Sequence, residues 1–128
     1  MSAQGSKLAI LLWAATPDRP ELCATPFVHA AAAAALDCEV EIHFAGPTVR
    51  LLVTGVAEDL KPWTGLDASI YRMMKQAANL GVGFRACAMA MGALVGADET
   101  LIPEYGGTVA ASTFVARALD PEWTTLVF

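Results

Sequence analysis

Charge is scarce in this chain. Asp, Glu, Lys and Arg make up 16% of its 128 residues, against about 25% in a typical soluble domain. The balance is acidic, a net −5, and no basic cluster interrupts it, so nucleic acid is not an expected partner. Long apolar runs are missing too. No stretch approaches the ~18–20 residues that a bilayer-crossing helix requires, so no membrane association is expected. Cysteine occurs three times, at 23, 38 and 87, and an odd set without C-x-x-C fits a reducing, cytoplasmic setting better than a disulfide framework. Neither H-x-x-H nor C-x-x-C is present, so no metal site is expected.

What is present is apolar: 55% of the residues, with a mean hydropathy of +0.48. At this length one domain, residues 1–128, is expected, with a core that needs neither metal nor disulfide. A small domain cannot hide so much apolar surface by itself, which implies a homo-oligomer.

"KLAILLWAA" (7–15) is a continuous apolar run, the pattern of a strand covered on both faces. Lys7 followed by "LAILLWAA" could also pass for a signal-peptide core, but its charged flank is thin and its cleavage motif poor. In "TPFVHAAAAAALD", Thr25 can cap a helix and Pro26 fits its first position. "CEVEIHF" (38–44) alternates as a second strand, and "TVRLLV" (48–53) suits a short helix ending at Gly55. From Asp67 to Leu80 apolar residues recur at helical spacing, with Asp67 as cap and Gly81 as stop. "VGFRA" (82–86) reads as strand three and "AMAMGALV" as the next helix. "GGTVAA" (106–111), "STFVARAL" and "TTLVF" supply a fourth strand, a helix stopped at Asp120-Pro121, and a last strand. Strands alternating with helices imply a three-layer α/β/α sandwich with a five-stranded, mostly parallel sheet.

In such a sheet, chemistry sits beyond the carboxyl ends of the strands, near the point where strand order reverses. Cys87 follows "VGFRA" directly and opens the next helix, whose free N–H groups favour an anionic sulfur. Free cysteine is also a good packing residue, and Ala-Cys-Ala packs well. Position alone leaves both readings open. Arg85 is the nearest basic residue in sequence.

The order "KLAILL … PFVHAAAAAALDCEVEIHFAG … VRLLVTG … GVGFRACAMAMGAL … LIPEYGGTVAASTFVARAL … TTLVF" resembles the DsrE-like (DsrE/DsrF-like) sulfur-relay family over nearly the whole chain. "ACAMAMGAL" is similar to its branch often labelled peroxiredoxin-like. The resemblance implies a small sulfur-relay, sulfurtransferase-like protein in which the cysteine at this junction, Cys87, carries sulfur as a persulfide. It also implies sulfur donor and acceptor proteins as partners. The opposing class is a non-catalytic small-molecule or protein-binding module of the same fold, with Cys87 merely packed.

Other candidates have plainer readings. Cys23 follows strand one and would share a crevice with Cys87 if strands one and three were neighbours, a resolving thiol; otherwise it is a loop cysteine. Cys38 starts strand two at the opposite end, where packing accounts for it. His29 and His43 could orient a thiolate or shuttle a proton, but a lone His in an apolar run is usually a satisfied core or interface residue. Met73, Met74, Met89 and Met91 suit adaptable packing. "GVGFRA" (81–86) fits G-x-G-x-x-A but lies within a strand, so no dinucleotide or other cofactor is expected. Trp63 is the tryptophan best placed to line a cleft or a subunit contact. Glu58 and Asp59 are adjacent in a polar loop, where solvation explains them.

Overall fold

Alternate residues along three neighbouring strands decide the architecture. Ile10, Leu12, Ile42, Phe44, Phe84 and Ala86 are all fully buried, and the residues between them point to the other side. The computed structural model describes residues 5–128. Its strands are β1 (Lys7–Leu12), β2 (Glu39–Phe44), β3 (Gly83–Cys87), β4 (Tyr105–Val109) and β5 (Trp123–Val127). They form one sheet in the order β4-β3-β2-β1-β5, and every pairing is parallel.

The helices are α1 (Ala24–Ala35), α2 (Ile70–Asn79), α3 (Ala88–Leu94) and α4 (Ala111–Leu119). α1 and α2 pack together over the face that carries Phe44 and Phe84. There Phe27 of α1 meets both rings, each at 6.0 Å between centroids, and Phe44 meets Phe84 edge-on at 5.4 Å. Met74 and Ala77 of α2 complete this core. The alanines of α1 let its axis approach closely. α4 lies on the opposite face, against β5 and β1, and buries none of its residues completely. The three expected layers are present, with the core almost wholly on one side of the sheet.

Several local expectations shift. α1 begins at Ala24, directly after a 3-10 turn at Pro20–Leu22, with Cys23 as N-cap. Thr25 and Pro26 therefore sit inside the first turn, where the missing proline N–H has no helical partner to lose. α2 is capped by Ser69, whose Oγ accepts from the Arg72 N–H at 3.1 Å; Asp67 lies two residues too early. Gly81 does end that helix, at φ +98°. The 48–53 segment is a 3-10 helix, Gly46–Leu52.

One correction matters for function. β2 lies between β1 and β3, so Cys23 and Cys87 do not share a crevice. Strand order reverses between β1 and β5, two strands away from the end of β3.

Candidate functional site

β3 runs into α3 with no intervening loop. Cys87 is both the last residue of the strand and the N-cap of the helix, with φ −63° and ψ 123° and no side-chain capping bond. It is half-buried. Its position at the carboxyl rim is as the sequence suggests, although the helix it opens is only seven residues long.

At this rim a cavity of about 200 Å³ is enclosed by Leu11, His43, Phe44, Ala45, Cys87, Val109, Ala110, Ala111 and Phe114. The residues come from the ends of β1, β2, β3 and β4 and the start of α4. The walls are apolar apart from His43 and the thiol. No cationic side chain lines the space.

His43 is 3% exposed. Its Nε2 lies 2.8 Å from Glu41 Oε1, and the same oxygen accepts from Arg117 Nε at 2.7 Å. Burial alone would push the Glu41 carboxyl up, but the hydrogen bonds from Arg117 and His43, reinforced by their charges, outweigh it and hold the group below the usual carboxylate range. Arg117 in turn stacks over Trp123, 4.4 Å from the ring centroid. Phe114, one helical turn before Arg117, meets the His43 ring edge-on at 5.3 Å. Helix α4 thus holds β2 through two residues spaced three apart.

Arg85 shares the Cys87 face, because residues two apart on a strand point the same way. It is the register partner of His43. Its guanidinium donates to the Phe84 carbonyl at 3.2 Å and lies over Gly83 and Gly106. A Cβ on Gly106 would meet Arg85 and stand 2.7 Å from the Phe84 carbonyl oxygen, so only glycine fits there.

The remaining candidates separate from this site. Cys23 is fully buried beneath the loop after β1. Its thiol donates to the carbonyls of Thr16 at 3.4 Å and Arg19 at 3.5 Å. Cys38 is half-buried just before β2, at the far end of the sheet, and none of the three cysteines forms a disulfide. His29 is exposed on α1, with Nδ1 2.9 Å from the Thr25 carbonyl. Met74 is core, Met73 and Met91 pack against it, but Met89 is 80% exposed and does no packing. Trp63 lines an open hollow with Lys61 and Asp67. Asp59 is solvated, whereas Glu58 turns one carboxylate oxygen, Oε1, into the protein without a hydrogen-bond partner. Among the described residues no group of three or more His, Cys, Asp or Glu could hold a metal ion.

Sequence reasoning passed over Glu41, Phe114 and Arg117, and weighed His43 as a lone histidine. A signal was there. The alternation of "EVEIHF" sets Glu41 and His43 on one face and Val40, Ile42 and Phe44 on the other.

No family model matches the sequence, and neither does any curated protein. The fold does match solved structures. The chain is similar to the YchN protein from E. coli, with a TM-score of 0.64 and 13% identity, covering 96% of this chain and 98% of that one. It is also similar to MTH1491 from Methanobacterium thermoautotrophicum, a protein of unknown function, with a TM-score of 0.66, 14% identity and coverage of 96% and 99%. The chain therefore shares the α/β fold of these two structures. Among the described residues no helix is long and apolar enough to cross a membrane.

Proposed function

We propose that this protein is a sulfur-relay protein that carries sulfur as a persulfide on Cys87. The observation that supports it most is the small apolar cavity into which Cys87 and a buried histidine both face from the carboxyl rim. A thiol in this setting can take a sulfane sulfur from a hydropersulfide. Sγ attacks the terminal sulfur, a new S–S bond forms, and the donor's own S–S bond breaks with its electron pair leaving on the donor thiolate. The apolar walls suit a sulfane sulfur, which is neutral and polarisable, and they shelter the product from water. In the cell the donor and acceptor would be cysteines of other proteins, whose tips fit a space of about 200 Å³.

Incubation with tert-butyl hydropersulfide followed by intact-mass measurement tests this. Wild-type protein should gain the mass of one sulfur atom, and Cys87→Ser should gain none. Equal loading of both would remove Cys87 from the role. No loading of either would leave a binding module of the same fold.

The protein acts as a homo-oligomer on this reading. α4 and β5 carry Val115, Leu119, Leu126 and Val127 to the surface, with Leu119 79% exposed, and β4 and β5 have no fully buried residue. Exposed apolar area of this kind is costly in water at about 25 cal/mol per Å². Light scattering at micromolar concentration should give a mass well above that of one chain; a monomer would contradict the reading.

A further inference from the structure

We infer that His43 is the base that activates Cys87, and that Glu41 and Arg117 are positioning residues that set which ring nitrogen does the work. This deepens the proposed function and rests on it. Glu41, kept ionised by Arg117, can only accept hydrogen bonds, so the proton on the His43 ring sits on Nε2 and points at Glu41 Oε1, 2.8 Å away. Nδ1 is then the acceptor. The buried ring lines the same cavity as Cys87. A histidine that shares an apolar cavity with a thiol, its other nitrogen committed to a carboxylate, can take the thiol proton. Phe114, edge-on at 5.3 Å, fixes the plane of the ring.

The step balances without an outside oxidant. Nδ1 takes the Cys87 thiol proton as Sγ attacks the terminal sulfur of R–S–SH. The Sγ–S bond forms, the donor S–S bond breaks, and the imidazolium returns the proton to the departing R–S⁻. Cys–SH and R–S–SH become Cys–S–SH and R–SH.

The groups facing His43 give the test its sign. Glu41 comes from its own strand, Arg85 and Cys87 from β3, and Arg117 from α4; the β1 residue in register, Leu11, is apolar. Sulfur uptake by Cys87 from tert-butyl hydropersulfide should fall on an acid limb where the imidazole becomes protonated. His43→Gln should lose about 10²-fold in rate at neutral pH and lose that limb. Glu41→Gln removes the counter-charge of the imidazolium, so the limb should move to lower pH. Arg117→Gln leaves the Glu41 charge to His43 alone, so it should move to higher pH. These opposite shifts are read in variants that keep His43, which decides the matter even where His43→Gln fails to fold. A wild-type rate and profile in folded His43→Gln, or no shift in Glu41→Gln and Arg117→Gln, would overturn the inference while leaving Cys87 as the carrier. Loss of loading confined to Cys87→Ser supports the carrier alone.

Discussion

Limiting alkylation at neutral pH should mark Cys87 at least about a hundredfold faster than Cys23. Cys23 is fully buried and its thiol is committed to two carbonyl oxygens. Burial first, then the charges of Glu21 and Asp18, push the thiol up from 9.0 to about 11. Each unit above the ordinary range removes a factor of ten in thiolate, so two units remove about a hundredfold before steric protection is added. Cys87 is half-buried and opens on a cavity. The sign with pH is fixed as well. The Cys23 rate should still be climbing as pH approaches 11. The native state, which disfavours that thiolate, is fully stabilised by the intact thiol below the unfolded value and loses this contribution as pH rises through 11. Peptide mapping after a short pulse of iodoacetamide checks the ranking; comparable labelling of Cys23 would contradict it.

Replacing Phe44 by alanine should destabilise the fold by about 3–5 kcal/mol. Phe44 is fully buried at the end of β2, its ring between Phe27 and Phe84. The core rests almost wholly on this face of the sheet, with the aromatic trio at its centre, so a cavity there has few neighbours able to collapse into it. Urea unfolding of Phe44→Ala against wild type gives the number. A loss below about 1 kcal/mol, the level of an ordinary substitution, would mean that the three rings are not the centre of the core.

The fold was legible because its signals are local. The apolar run at 7–12, the alternation at 39–44 and the Gly81 stop are read within a few residues, and β-α alternation then restricts the topology to parallel forms. Helix starts were less legible. Thr25, Pro26 and Asp67 are all good starting residues, and the 3-10 turn at Pro20–Leu22 and the Ser69 cap won by geometry that spacing does not reveal. The site was half legible. Cys87 stands out because a strand-to-helix junction is a local event. Its cavity does not, because Leu11, His43, Val109 and Phe114 come from four separate segments joined only by sheet order. That order depends on which edge the last strand takes. β5 beside β1, with β2 between β1 and β3, is what separates Cys23 from Cys87 and brings His43 to it. Glu41 and Arg117 are 76 residues apart in sequence, and no short motif connects them.

The most direct measurement is to locate the transferred sulfur. Protein with all three cysteines is exposed to a limiting amount of tert-butyl hydropersulfide, trapped with an alkylating reagent, digested without reductant and mapped by mass spectrometry. The added sulfur should appear on the peptide carrying Cys87, with Cys23 and Cys38 unmodified. Sulfur found chiefly on Cys38 or Cys23, or retained in full by Cys87→Ser, would contradict the assignment of Cys87 as the carrier.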